Sequence, residues 1–187
     1  SDIRKSCVVC DGKPVEEVDI KSSQGSFLYL IFKKWKSVMD GNREECGFVR
    51  LDPFWMPDRA AWFSERMGRE LSEYSAVIRD RRLYEWFGKE ASEDSDIDRE
   101  LPRDEVKKEW ISFLFSSRHF DERKHPVRGA IRRVWRDRFP TLLMCIDEMK
   151  KMNYAALAYE MQNTESEFVF GRVCPAIEKE IGCDYCT

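Results

Sequence analysis

The chain has 187 residues, of which 42% are hydrophobic, 13% aromatic and 36% charged. This balance predicts one domain with a sizeable core, or one domain plus a small lobe, and a surface dense in charges of both signs. The formal net charge of −3 gives no sign of a polyanionic partner for the whole molecule, so any nucleic-acid site must be a local basic face.

Targeting signals and cysteine usage predict an intracellular protein. The sequence has no apolar run of about 18 residues, as a membrane-spanning helix requires. Its first residues, SDIRKSCVVC, lack the apolar stretch of a secretory signal. The 7 cysteines are an odd number and are scattered along the chain. We therefore expect mostly free thiols, a reducing compartment and a cytoplasmic location.

The N-terminal half is predicted to begin with a β-hairpin and to continue as helices. Short β-prone runs flank the turn signal Asp11-Gly12, and a polar break at residues 22–25 ends the second strand. Apolar residues with helical spacing follow this break. After a connector rich in glycine and proline, residues 59–90 carry an apolar stripe typical of two helices with a break near Gly68.

The rest of the chain is predicted to be helical almost to its end. One helix starts after Pro102, a second is interrupted at Pro140, and a long amphipathic helix from Asn153 is kinked at Pro175. The residues from Cys183 have the pattern of another strand. We therefore predict an α+β fold that is predominantly helical. In this fold a small antiparallel sheet, built from the N-terminal hairpin and the C-terminal strand, packs against a helical lobe.

Two Cys-x-x-Cys pairs, Cys7/Cys10 and Cys183/Cys186, have the internal spacing of ligands in a tetrahedral zinc site. They lie at opposite ends of the chain, so the termini would have to meet. Residues three apart in a strand point to opposite faces, and each pair could chelate only if a turn intervened. We favour ordinary strand cysteines over a zinc site.

A cluster of arginines between residues 118 and 138 is the main candidate for a local basic face. Arg128, Arg132 and Arg136 are spaced by four residues and therefore share one side of a helix. Arginine suits phosphate because its guanidinium is planar and always charged. Such a face could follow a nucleic-acid backbone, with an affinity that falls steeply with salt. A solvated helix surface has the same pattern, and charge alone leaves both interpretations open.

Residues 15–32, VEEVDIKSSQGSFLYLIF, read as a strand that ends in Asp19, a polar turn and a helix. This order resembles the first motif of the family A DNA polymerases, especially divergent polymerase-like proteins of phages and plasmids. The resemblance implies that Asp19 binds catalytic magnesium ions, with the backbone carbonyl of Ile20 as a further ligand. Gln24 stands where the family has a glutamate against the nucleotide sugar. Without the family, Asp19 would simply cap the next helix.

A second segment, RDEVKKEWISFLFSS, is similar to the fingers helix of the same family. By this resemblance Arg103 and Lys107 contact the incoming triphosphate, and Phe115 lies near the templating or incoming base. An amphipathic surface helix accounts for the same residues. Further along, Gln162 matches a residue that the family places near the minor groove of the primer–template duplex.

The resemblance implies a palm-like part at residues 1–40 and 150–187 and a fingers-like helical insertion at 55–148. The implied function is the nucleic-acid- and nucleotide-binding portion of a template-directed DNA polymerase. The family's last motif, a His-Asp pair, does not occur before Thr187. Two-metal nucleotidyl transfer would therefore need residues after Thr187. The implied partners are primer–template DNA, a deoxynucleoside triphosphate, and the rest of the polymerase or other replication proteins.

A non-catalytic helical protein-interaction domain, or adaptor, is the alternative function. Its support is the 6 tryptophans and 12 phenylalanines on a chain of mixed surface charge, because exposed aromatic residues are frequent anchors of protein interfaces. Under this hypothesis the arginine cluster forms ion pairs with the acidic linker at residues 93–100.

Overall fold

The computed structural model describes residues 9–10, 13–14, 23–41 and 60–181. Strands β1 (Val9–Cys10) and β2 (Lys13–Pro14) pair antiparallel, with Val9 opposite Pro14. The helical elements that follow are α1 (Ser23–Met39), α2 (Ala60–Arg79), α3 (Leu83–Ser92), α4 (Arg103–Phe115), α5 (Pro126–Arg138), α6 (Pro140–Met152), α7 (Ala156–Phe168), a π-helical segment (Val169–Val173) and α8 (Cys174–Ile181).

The predicted α+β fold class is wrong for the part of the chain that the structure describes. Outside the four residues of β1 and β2, these residues are helices and their connections, and the chain is still helical at Ile181. Two residues per strand are too few for the sheet that we predicted from both chain ends. The C-terminal strand predicted from Cys183 lies outside the described residues.

Of two predicted helix interruptions, the one near Gly68 is wrong and the one at Pro140 is confirmed. Gly68 does not break α2, which runs without interruption to Arg79. Gly68 instead leaves room for a neighbouring side chain, because a Cβ there would lie 3.0 Å from Cε of Lys36. The interruption predicted at Pro140 is present, since Pro140 is the first residue of α6. Its missing N–H is compatible with that position.

The helices form two groups that share one core. In the first group α1 packs against α2, α2 against α6, α6 against α7, and α7 against α1. In the second group α3, α4 and α5 pack against one another, while α5 and α4 also contact α6 and α7 of the first group. A single cluster of buried apolar residues runs through both groups.

Trp135 lies at the junction of the two groups. Its side chain is fully buried, and its ring centroid is 5.4 Å from those of Tyr74, Phe87 and Phe139. These residues belong to α2, α3 and the connection between α5 and α6. Aromatic pairs at this separation add to the stability from buried area, so Trp135 links elements that are distant in sequence.

A buried carboxylate from α2 caps the start of α6. Phe139 precedes Pro140 and offers no side-chain acceptor to the first free amides of this helix. Glu70 accepts hydrogen bonds from the backbone N–H groups of Thr141 and Leu142, with N–Oε2 distances of 2.8 and 3.0 Å. Negative charge is favourable at a helix N-terminus, and these two positions are those that a capping side chain normally satisfies.

A buried ammonium group from α6 caps the end of α4 in the opposite sense. Lys150 donates a hydrogen bond from Nζ to the backbone carbonyl of Phe113, in the last turn of α4. Nζ also lies 4.7 Å from the ring centroid of Phe113. Positive charge is favourable at a helix C-terminus. Burial nevertheless lowers the pKa of Lys150 to about 8, because the interior disfavours the charged form.

Candidate functional site

The predicted metal site is not located, because Asp19 and Ile20 lie outside the described residues. Gln24, the predicted sugar contact, is the second residue of α1 and is half-buried. Within residues 23–41 and 60–181, no group of three or more histidine, cysteine or acidic side chains is arranged to hold a metal ion. Magnesium binding at Asp19 and Ile20 therefore stays a prediction.

The predicted nucleotide-binding residues lie on α4, four residues apart as the sequence indicated. Nε of Arg103 is 2.8 Å from Oε1 of Glu85, and its guanidinium carbon lies 5.5 Å from the ring centroid of Tyr84. Lys107 is exposed one turn further along. Phe115 is partly buried against the core, so its ring is not freely available to a base.

Two of the three arginines predicted to bind nucleic acid form ion pairs with carboxylates of other helices. Nε of Arg128 is 3.0 Å from Oε2 of Glu109, and both side chains are largely buried. A terminal nitrogen of Arg132 is 2.6 Å from Oδ2 of Asp147. Acids from α4 and α6 therefore neutralise two members of the predicted basic face.

Arg136, the third member, is exposed, and its nearest acid is the adjacent Asp137, at 3.3 Å from Nε. Arg133 lies on the same helix and contacts the acidic linker. One terminal nitrogen of its guanidinium is 2.9 Å from Oδ1 of Asp94 and 2.8 Å from Oδ2 of Asp96. The hydrogen bond from Arg133 holds the pKa of the Asp94 carboxyl below its usual range. The predicted pairing of the arginine cluster with the acidic linker is therefore present at Arg133.

The most exposed aromatic residues cluster in and beside α7. The exposed fractions are 63% for Tyr154, 60% for Tyr159 and 68% for Phe170. Tyr154 precedes α7, Tyr159 lies in its first turn, and Phe170 lies in the π-helical segment. Monomeric proteins seldom leave so much aromatic surface in water without a use for it.

One side of α7 is buried and the opposite side is open. Leu157, Met161 and Thr164 are buried at spacings of four and three residues. On the other side are Tyr159, Asn163, Ser166 and Phe170, which are also spaced by four, three and four residues and are all exposed. Residues at this spacing are neighbours on a helix surface. We call these four residues, together with Tyr154, the outer face of α7.

The charged residues of α7 itself are all negative. Between Lys151 and Arg172 the sequence contains Glu160, Glu165 and Glu167 and no lysine or arginine. Glu167 is paired with Lys34 of α1, at 2.7 Å. In the described part of the chain neither Glu160 nor Glu165 has an ion-pair partner. Gln162, predicted to lie near a DNA minor groove, is exposed on this same acidic helix.

The end of α7 is fixed to α1, and the π-helical segment begins directly after that contact. The rings of Phe168 and Phe27 are 6.0 Å apart in an edge-on arrangement. In the next five residues the helix widens, and Phe170 is exposed. Single turns of π-helix occur frequently at functional sites. This position supports a functional interpretation of the outer face.

Sequence reasoning missed the outer face of α7, although two signals for it were present. Tyr159 and Phe170 are 11 positions apart, which places them on one side of a continuous helix. The stretch between Lys151 and Arg172 lacks basic residues on a chain in which 36% of residues are charged. A helix surface without basic residues in such a chain indicates a selected charge pattern.

Comparisons with known proteins give no relative. No family model matches the chain, and no curated protein or solved structure matches it significantly. The resemblance to family A polymerases thus stays a prediction. Among the described helices none combines the length and the apolar character needed to cross a membrane.

Proposed function

We propose that this protein is a helical protein-interaction domain whose outer face of α7 binds a basic, arginine-containing segment of a partner protein. The observation that carries the proposal is the exposure of Tyr154, Tyr159 and Phe170 beside unpaired glutamates. Tyrosine and phenylalanine supply large rigid contact areas, and hot spots of interfaces are enriched in such residues. The glutamates select a partner of positive charge.

Arginine suits this face for two chemical reasons. Its guanidinium forms bidentate hydrogen bonds with carboxylates, and it stacks on aromatic rings. The protein already uses such stacking internally, because the guanidinium carbons of Arg66 and Arg138 lie 5.4 and 5.7 Å from the ring centroids of Trp62 and Trp86. The same pairing between two proteins would satisfy both the rings of the outer face and the glutamates of α7.

At the predicted basic face and at α7, the charges favour a protein partner over nucleic acid. A phosphate backbone needs several available cations, and affinity falls when those cations are already neutralised. Arg128 and Arg132 are paired with Glu109 and Asp147. The exposed aromatic residues are instead carried by a helix whose charged residues are glutamates, which repel phosphate. We therefore place the adaptor function ahead of polymerase-type DNA binding.

The test measures binding of a basic amphipathic probe peptide by titration calorimetry. Tyr159 and Phe170 are roughly 16 Å apart along the helix, so a helical peptide of about 18 residues made of leucine, alanine and arginine spans both. We expect 1:1 binding that weakens with salt. Replacing both aromatic residues, Tyr159→Ala with Phe170→Ala, should weaken binding at least tenfold, as loss of about 1.4 kcal/mol or more at a hot spot implies.

Three controls make the result specific. Trp62→Ala removes an exposed aromatic residue from α2 and should leave binding unchanged. A peptide of the same composition with its amphipathic order scrambled should bind more weakly. Duplex DNA titrated into the protein without peptide should give no heat of binding. Binding that survives the double replacement, or that Trp62→Ala weakens equally, would show that the outer face of α7 is not the site.

We also propose a cytoplasmic location for the protein. Cys145 and Cys174 are free thiols in the structure, which fits a reducing compartment. Burial raises the pKa of the Cys145 thiol well above its usual value, so this cysteine is unreactive in the folded protein.

A further inference from the structure

The turn between α2 and α3 carries three exposed arginines. Residues 79–82 read Arg-Asp-Arg-Arg, and all four are exposed. In contrast to Arg128, Arg132 and Arg133, the arginines of this turn have no ion-pair partner among the residues that the structure describes. We call Arg79, Arg81 and Arg82 the arginine corner.

The backbone of the arginine corner is strained at Arg81. Its φ angle is +56°, in the left-handed region that glycine adopts at no steric cost. Its backbone N–H donates a hydrogen bond to the carbonyl of Ile78, at 2.9 Å, directly after the end of α2. Glycine is common at this position after a helix. An arginine at a position that favours glycine is an unfavourable local choice. Such choices are typical of sites with a function.

The helices that the arginine corner joins and the end of α7 both contact the first turns of α1. The hydroxyl of Tyr74 donates a hydrogen bond to the carbonyl of Gly25 at 3.3 Å, and a Cβ on Gly25 would lie only 2.5 Å from Cδ2 of Leu83. The first turn of α1 is therefore pressed against both helices that the corner joins. Two residues later, Phe27 contacts Phe168 at the end of α7.

We propose that the partner of the outer face of α7 is a second copy of this chain, which inserts its arginine corner against Tyr159, Phe170 and the adjacent glutamates. This inference rests on the proposed function and names the basic segment that the face binds. The argument is charge complementarity within one molecule. The arginine corner offers unpaired guanidiniums, and α7 offers exposed rings with the carboxylates of Glu160 and Glu165 on either side. Neither set of charges has an ion-pair partner among the residues that the structure describes.

A closed dimer satisfies both surfaces in one complex. Two complementary patches on one molecule can meet twice across a twofold axis, so that the arginine corner of each copy contacts the outer face of the other. Both contacts would then form in the same complex. Guanidinium–carboxylate and guanidinium–ring pairs at a partly wet interface depend on salt, and the dimer should dissociate as ionic strength rises.

The test is sedimentation velocity on the wild-type protein and two charge-reversed variants, over a range of concentration and salt. The corner variant is Arg79→Glu with Arg82→Glu, and the face variant is Glu160→Arg with Glu165→Arg. We expect a dimer for the wild type at low salt and at least tenfold weaker self-association for each variant alone. An equimolar mixture of the two variants should restore the dimer, because both contacts of the mixed pair again join opposite charges.

A matched control carries the same change in charge elsewhere. Lys89→Glu with Lys108→Glu alters two exposed lysines on α3 and α4, and this variant should dimerise like the wild type. A wild type that stays monomeric at low salt, variants that dimerise normally, or a mixture that stays monomeric would each overturn the inference. Circular dichroism of each variant verifies that it is folded.

The corner variant also separates this inference from the proposed function. It keeps the native outer face of α7 and no longer covers it by self-association, so it should bind the basic probe peptide at least as tightly as the wild type does. If it binds the peptide while the wild type proves monomeric, the second copy is not the partner and the interaction function stands. If neither protein binds the peptide, the proposed function itself fails.

Discussion

Replacement of Glu70 tests how the two helix groups are held together. Its carboxylate is buried and accepts hydrogen bonds from Thr141 and Leu142, at 2.8 and 3.0 Å, while Arg66 lies 3.2 Å from its other oxygen. Glu70→Ala leaves two N–H groups without acceptors in the interior. Each such group costs about 1–3 kcal/mol. We therefore expect the free energy of unfolding to fall by about 2–6 kcal/mol.

Urea unfolding followed by circular dichroism measures this change. The midpoint concentration should fall while the slope with urea stays the same, since the surface exposed on unfolding is similar. Glu70→Gln keeps one acceptor oxygen and loses the charge at the helix start, so its cost should be about 1–2 kcal/mol. Glu73→Gln, an exposed site on the same helix, should change stability by less than about 0.5 kcal/mol. A cost below about 1 kcal/mol for Glu70→Ala would refute the capping role.

Two further stability predictions follow from Lys150 and Arg81. The lowered pKa of Lys150, about 8 in the folded protein against 10.5 for an ordinary lysine, means that the unfolded chain binds this proton more strongly, so stability rises with pH from about 8 to 10.5. Relative to Lys150→Met, wild-type stability should therefore rise by about 1 kcal/mol between pH 7 and pH 9 in urea unfolding, and parallel curves would contradict the assignment. Arg81→Gly relieves the left-handed strain at that residue and should stabilise the protein by about 0.5–1 kcal/mol in thermal unfolding, whereas a loss of stability would show that the turn is not strained.

The sequence predicted the helices well where their signals are local. The start of α4 after Pro102 and the start of α6 at Pro140 follow from the fixed φ of proline and its missing N–H. The predicted sheet failed because it depended on a pairing between the two chain ends. Such a pairing has no local signal, and the residues near the C-terminus that the structure describes are helical.

The predicted nucleic-acid face shows a second limit of sequence reasoning. The four-residue spacing of Arg128 and Arg132 correctly placed them on one side of a helix. Their partners, Glu109 and Asp147, come from other helices. A sequence pattern along one helix cannot show which acids another helix brings to it. For the same reason the cap that Glu70 provides to a helix 70 positions away was not predictable.

Hydrogen–deuterium exchange with the basic probe peptide tests the central claim most directly. Binding on the outer face of α7 should slow amide exchange in residues 153–173, because it opposes the local opening of α7 and the π-helical segment. Exchange in α3, Leu83–Ser92, should be unchanged. If protection instead appears in α5, Pro126–Arg138, or if residues 153–173 exchange at the same rate with and without bound peptide, the account of the outer face is contradicted.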